Sequence, residues 1–108
     1  HICVRERGDL ILTPVTEIIY FRADSKYVAI RGLEGEMLIE ESLKALEAEF
    51  KDLFVRVHRS TLIAPDCLSG LEKDKDGKQY LVFKNIDDRI EVSRRHLPEV
   101  RKLLKSRI

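Results

Sequence analysis

Short apolar runs separated by polar turn sequences recur through most of the chain. Several runs alternate apolar and polar positions with the period of two that a half-buried strand requires. This pattern predicts about nine or ten short strands and a predominantly β domain. The predicted strands lie at Ile2–Arg7, Leu10–Thr13, Ile18–Arg22, Tyr27–Arg31, Glu36–Glu40, Phe54–His58, Cys67–Lys73, Gln79–Lys84 and Arg89–Val92.

The connections between these runs predict hairpins and one short helical turn. Gly8-Asp9, Gly32–Gly35 and Asp74–Lys78 have the composition of turns between paired strands. Pro14–Glu17 predicts a single helical turn, because proline presets its φ angle. The run Ile18–Arg22 is almost continuously apolar, which predicts a strand covered on both faces.

Helical spacing of apolar residues occurs twice. Leucine and phenylalanine recur at i, i+3 and i+7 over residues 43–50, directly after Ser42, which is a suitable N-cap. A second apolar stripe over residues 97–104 predicts a C-terminal helix. Pro98 suits the first position of a helix, so the regular helix should begin near it and Arg94–Leu97 should form a separate turn.

Cationic and hydroxyl side chains are concentrated in two clusters at strand ends. The strand Phe54–His58 presents Arg56 and His58 on one face, and its alternation breaks at Arg59-Ser60-Thr61. Ser93-Arg94-Arg95-His96 repeats this chemistry at the end of another strand. Hydrogen-bond donors at the ends of strands suit an anion-binding surface better than an enclosed pocket.

Each cluster also has a plain structural interpretation. Residues 58–61 can form a hydrogen-bonded loop that closes a strand, and residues 93–96 a helix cap with solvated arginines. Lys26 and Tyr27, at the entry to a further strand, are a third candidate, although Tyr27 also suits a strand as an ordinary side chain. Composition leaves these alternatives open.

The distribution of charge favours an anionic partner. The length of 108 residues fits one domain with one hydrophobic core, and the net charge is +1. Residues 1–50 carry 6 Lys/Arg and 10 Asp/Glu, a net charge of −4. Residues 51–108 carry 14 and 9, a net charge of +5, and include both clusters. This polarity suits a domain that faces phosphate groups on one side and a protein partner or solvent on the other.

Several other classes of function are disfavoured. No apolar segment is long enough to span a bilayer, and no secretory signal is present. The three histidines and two cysteines lack metal-binding spacing, so neither a metal nor a cofactor is expected. Cys3 and Cys67 are expected to be buried free thiols in the reducing cytoplasm. The serine–histidine pairs of the two clusters lack the sequence context of a catalytic serine, so an enzyme is not expected.

Together these residues resemble the LytTR DNA-binding domain, the output module of LytR/AlgR/AgrA-type bacterial response regulators, and its AlgR branch in particular. The resemblance covers nearly the whole chain. It is carried by Ile18–Phe21 with the following Lys26-Tyr27, by Ser42–Glu47, by Phe54–Ser60 and by Val92–Leu97. The Phe-x-Arg-x-His-Arg run, combined with the later Ser-x-Arg, is its most specific part.

The resemblance implies a mainly β fold of about ten short, mostly antiparallel strands in three sheets, with one short central helix and a C-terminal helix. It implies that residues 1–108 form a single domain excised from a longer chain, with an N-terminal receiver domain outside this sequence. Such domains bind double-stranded DNA through loops in successive major grooves, as homodimers on direct repeats. Phosphorylation of the receiver controls them, so a cytoplasmic transcription regulator of a two-component system is expected.

The resemblance also assigns roles by position. Base reading falls to Lys26, Tyr27, Arg59 and Arg95, with Arg59 in the middle contact. Phosphate contact falls to His58, Ser60, Ser93 and Arg94, and also to Lys26. The acidic residues expected to face away from the DNA are Glu34, Glu36, Glu40, Glu41, Glu47 and Glu49.

The alternative function is a non-catalytic β module that binds a protein partner or a cyclic nucleotide. Short strands, charged loops and an acidic first half would suit such a module as well. Asp66–Gly70 has the wrong spacing for a cyclic-dinucleotide motif, so the sequence favours DNA binding.

Overall fold

The structure is a computed structural model that describes residues 1–107. These residues contain ten strands and two α-helices, with three short 3-10 turns. The strands are β1 (Ile2–Glu6), β2 (Asp9–Thr13), β3 (Tyr20–Asp24), β4 (Tyr27–Gly32), β5 (Gly35–Ile39), β6 (Val55–His58), β7 (Thr61–Ile63), β8 (Leu68–Lys73), β9 (Gln79–Phe83) and β10 (Arg89–Glu91). The helices are α1 (Leu43–Glu49) and α2 (Leu97–Lys105), and the 3-10 turns are Val15–Glu17, Pro65–Cys67 and Arg94–His96.

The strands form three antiparallel sheets, as the fold prediction stated. The central sheet has five strands in the order β5-β4-β3-β7-β6. β1 and β2 form a separate hairpin, and β8, β9 and β10 form a three-stranded sheet. Because neighbouring strands in the chain are mostly paired, the connections are short turns, and such turns present side chains at fixed positions.

The strand β3 is covered on both faces, which confirms the interpretation of its apolar run. Consecutive side chains of a strand point to opposite faces, and here Tyr20 and Phe21 are both fully buried. Phe21 belongs to a cluster with the β1–β2 hairpin and α1, whereas Tyr20 belongs to a cluster with the three-stranded sheet and α2. The expectation of one hydrophobic core was therefore wrong. The central sheet separates two apolar layers.

Both helices follow the predicted spacing. The Ser42 hydroxyl accepts a hydrogen bond from the backbone N–H of Ala45 at 3.0 Å, and so caps α1 as predicted. The C-terminal helix begins at Leu97 with Pro98 in its first turn, and the 3-10 turn Arg94–His96 precedes it. This placement confirms the separate turn expected before the helix.

One turn and one cysteine differ from the predictions. The first hairpin turns at Arg7-Gly8 rather than at Gly8-Asp9, because Asp9 already pairs with Glu6. Both turn residues have positive φ angles, 52° and 86°, which match the right-handed twist of the flanking strands. Cys3 is exposed, although it was expected to be buried, because it alternates with the inward-facing residues of β1. No helix within residues 1–107 is sufficiently long and apolar to cross a membrane.

Candidate nucleic-acid interface

Two of the three predicted contact segments are neighbouring turns at one end of the central sheet. Lys26 and Tyr27 lie at the β3–β4 turn, where Ser25 has a positive φ of 57°. Arg59 and Ser60 form the two-residue turn between β6 and β7. The Ser60 carbonyl accepts a hydrogen bond from the N–H of Ala23 at 2.8 Å, which joins this turn to β3 close to the β3–β4 turn.

The third segment adjoins the second. The 3-10 turn Arg94–His96 packs against β6, the strand that leads into the turn at Arg59-Ser60. The β6–β7 turn therefore lies between the other two segments. We call this set of three turns the binding end of the domain: residues 25–27, 58–60 and 93–96.

The cations of the binding end are exposed, and within residues 1–107 they have no acidic partner. Lys26, Arg59, Arg94 and Arg95 are all exposed, and within residues 1–107 no carboxylate forms a salt bridge with any of them. Tyr27 is 44% exposed beside Lys26. Exposed guanidinium and ammonium groups on rigid turns are suited to phosphate oxygens and to the edges of bases.

The ring of His58 is held in one orientation by Ser60. Its Nδ1 lies 3.3 Å from the backbone nitrogen and 3.0 Å from the hydroxyl of Ser60. The backbone N–H can only donate, so Nδ1 accepts and the Nε2 of the neutral ring carries the proton. The Ser60 hydroxyl also lies 3.4 Å from that of the buried Thr61. Ser60 therefore organises the turn, and His58 retains an N–H donor.

A second serine–histidine pair organises the other cluster. The Ser93 hydroxyl lies 2.7 Å from Nδ1 of His96, and it does not cap the backbone of the turn that it precedes. Burial lowers the pKa of His96, and the neighbouring cations Arg95 and Arg56 lower it further. Among the hydrogen bonds of residues 1–107, none joins either imidazole to a carboxylate, so neither pair is extended into a catalytic triad.

Arg56 has a supporting role that the sequence did not indicate. Its guanidinium donates to the Glu47 carboxylate from Nη2 at 2.7 Å and from Nε at 3.3 Å, and its Nη1 donates to the Arg59 carbonyl at 2.5 Å. Arg56 thereby links the β6–β7 turn to α1. Glu47 was expected to face away from DNA with the other acidic residues, but it forms a salt bridge with Arg56 next to the β6–β7 turn. The strand is also irregular here, since its register shifts between Arg56 and His58.

The opposite end of the central sheet is acidic. An open cleft of about 750 Å³ lies between the first hairpin, the Val15–Glu17 turn and the β4–β5 turn. Its lining includes the carboxylates of Glu6, Glu17, Glu34 and Glu36, none of which forms a salt bridge within residues 1–107. The β4–β5 turn is at the other end of β4 from the β3–β4 turn, so this cleft is remote from the binding end.

Known proteins share both this sequence pattern and this architecture. The LytTr DNA-binding domain family matches residues 8–105. The positive alginate biosynthesis regulatory protein of Pseudomonas aeruginosa is 45% identical over 105 residues, which cover 96% of this chain and 42% of that protein. An uncharacterised response regulatory protein of Vibrio cholerae is 26% identical over 97 residues, covering 85% of this chain and 37% of that protein. This chain thus spans about two-fifths of the length of these relatives.

A solved structure gives the same result. The LytTr DNA-binding domain of a Bacillus cereus response regulator superposes with a TM-score of 0.81 and 25% sequence identity, and the match covers 95% of this chain and 94% of that domain. The antiparallel three-sheet arrangement of residues 1–107 is thus that of a LytTr DNA-binding domain. The chain belongs to the LytTr DNA-binding domain family.

Proposed function

We propose that this domain binds specific sequences in double-stranded DNA as the output domain of a bacterial two-component transcription regulator. The observation that carries the proposal is the binding end, where three adjacent turns hold exposed cations with no acidic partner in the described chain. Membership of the LytTr family supports it, as does the similarity to a positive alginate biosynthesis regulatory protein and to an uncharacterised response regulatory protein. We also propose that the domain is not an enzyme.

Base reading is proposed for four exposed side chains of the binding end: Lys26, Tyr27, Arg59 and Arg95. An arginine can donate to two acceptors of one guanine, and a lysine to one or both, so these residue types suit the major groove. Phosphate contact is proposed for His58, Ser60, Ser93 and Arg94. Because the two serine hydroxyls already bond histidines, they contribute mainly by holding the rings in place.

The remaining features of the regulator belong to the longer protein. We propose that residues 1–108 are one domain of a chain that also has a receiver domain, since the relatives are more than twice as long as the match. Two copies would bind direct repeats about one helical turn apart in the cytoplasm, so that equivalent turns face equivalent grooves. Phosphorylation of the receiver would control this pairing.

The function is tested by selection from a randomised duplex DNA library with the purified domain. We expect a short motif to be enriched after several rounds, and direct repeats of it if two copies bind together. Weak binding that depends on salt but selects no motif would contradict base reading, because phosphate contacts alone carry no sequence information. Absence of binding at low salt would overturn the proposed function.

A further inference from the structure

A partly buried polar group outside the binding end joins two sheets. Asp88, in the loop before β10, accepts a hydrogen bond from the Tyr20 hydroxyl at 2.6 Å. The same carboxylate accepts bonds from Arg31, from Nε at 3.0 Å and from Nη2 at 3.2 Å. We call these three residues the Asp88 cluster. It links the central sheet, through β3 and β4, to the start of β10.

The charge states of the Asp88 cluster are fixed. Hydrogen bonding to Arg31 lowers the pKa of Asp88 despite its partial burial, so the carboxylate is ionised at neutral pH. Burial, together with the bond to Asp88, raises the pKa of Tyr20 to about 12, so the phenol keeps its proton. An ionised acceptor with three donors makes strong and directional hydrogen bonds.

The Asp88 cluster is placed so that it can set the position of one part of the binding end relative to the rest. Lys26, Tyr27 and Arg59 are carried by the central sheet, whereas Arg95 follows β10 of the three-stranded sheet. Tyr20 and Arg31 pair at the end of the central sheet that is remote from the β3–β4 turn. β10 begins beside them and leads toward Ser93. The turn that carries Arg95 also packs against β6 of the central sheet, so a tilt at Asp88 would shift Arg95 on that contact.

We propose that the Asp88 cluster fixes the offset between the base pairs read from the central sheet and those read by Arg95. Asp88 is thus a positioning residue that determines spacing specificity. The inference rests on the proposed function. One base pair corresponds to a rise of about 3.4 Å along DNA. A displacement of Arg95 by a few ångströms relative to the central sheet would therefore change which spacing is preferred.

The test compares the unmodified domain with Asp88→Asn and with Asp87→Asn. Asp87 is a matched control, because it is the adjacent carboxylate, is exposed and forms no salt bridge within residues 1–107. Each protein is first used to select a motif, and its affinity is then measured for duplexes with one base pair inserted between the two parts of that motif. For the unmodified domain and Asp87→Asn we expect the insertion to weaken binding roughly tenfold or more.

For Asp88→Asn we expect both parts of the motif to be retained, with a broader distribution of spacings and an insertion penalty of roughly threefold or less. An equal penalty in Asp88→Asn and the unmodified domain would overturn the inference. So would a uniform loss of affinity for every duplex, since a merely structural role has that effect. If the unmodified domain selects no motif at all, the proposed function fails, and the inference fails with it.

If Asp88→Asn does not fold, a second variant with a smaller change tests the positioning role. Tyr20→Phe removes only the hydroxyl and keeps the ring, whose centroid lies 5.7 Å from that of Phe83. We expect its insertion penalty to fall between those of the unmodified domain and Asp88→Asn. An unchanged penalty in a folded Tyr20→Phe domain, with Asp88→Asn unfolded, would overturn the positioning role.

Discussion

The two ends of the central sheet carry charge of opposite sign, and their backbones are held in a similar way. At the binding end, Arg56 donates to the Arg59 carbonyl at 2.5 Å. At the acidic end, Arg31 donates to the Gly32 carbonyl at 2.6 Å. A fixed backbone therefore does not by itself distinguish the two ends. They differ in the sign of the charge and in shape, because the cations lie on exposed turns whereas the carboxylates surround an open cleft.

The comparison also has an electrostatic consequence. Negative charge at one end and positive charge at the other orient the domain as it approaches a phosphate backbone. On the proposed function, the acidic end repels DNA at a distance and so contributes to orientation, while the binding end is expected to make the contacts. Substitutions at the two ends should thus have different effects on DNA binding.

The largest effect is expected for Arg95→Ala. Loss of a base-reading arginine should cost about 1–3 kcal/mol on the selected motif and relax specificity at one base position. Binding to random duplex should weaken far less. The measurement is the affinity for both duplexes by fluorescence anisotropy, with Arg101→Ala on the outer face of α2 as the control. Equal losses on the two duplexes would show that Arg95 contacts only phosphate.

The second effect concerns stability rather than affinity. Because the pKa of Tyr20 is raised to about 12, its protonated form stabilises the folded state fully below pH 10, and this stabilisation is lost as pH rises through 12. Tyr20→Phe should abolish a pH-dependent difference of about 2 kcal/mol between pH 10 and 12. Denaturant unfolding at several pH values measures it. Parallel curves for the two proteins would contradict the raised pKa of Tyr20.

A smaller effect is expected for Arg94→Gln. A phosphate contact should weaken binding to all duplexes together and reduce the slope of log affinity against log salt by about 0.9. Titrations at several salt concentrations determine the slope. A loss of affinity confined to the selected motif would show that Arg94 reads bases and does not only contact phosphate.

The smallest effect is expected at the acidic end. Neutralising the cleft with Glu34→Gln and Glu36→Gln should leave DNA affinity within about twofold at physiological salt, because the charges are remote and screened. At low salt we expect a slight gain in DNA affinity. A large loss of affinity would mean that the acidic end touches DNA, and the comparison of the two ends would be wrong.

Much of the fold could be predicted from the sequence because its signals are local. Alternation over four or five residues identifies strands such as β10, and Ser42 before an apolar stripe identifies α1. The turn at Arg7-Gly8 was misplaced by one residue, because a positive φ at arginine is not a local preference. The two apolar layers were not foreseen, since they depend on where the outer sheets pack.

The supports of the binding end could not be predicted for a similar reason. Arg56, Glu47 and the Arg59 carbonyl meet only after α1 packs against β3 and β7, and nothing in their spacing indicates it. Tyr20 and Asp88 are 68 residues apart, and each is unremarkable in its own segment. The proposed contact residues lie in turns that carry the family pattern, whereas the residues that hold those turns are identified only by the three-dimensional structure.

The exposure of Cys3 makes its thiol a site for chemical labelling. Its thiol is accessible on the outer face of the first hairpin, whereas Cys67 is partly buried, and burial raises the pKa of the Cys67 thiol. A maleimide reagent should therefore react first at Cys3, because the thiolate is the reactive species. A fluorophore attached there would lie on the hairpin, outside all three turns of the binding end. This domain can thus be labelled preferentially at Cys3, and its binding followed, without a cysteine being introduced or removed.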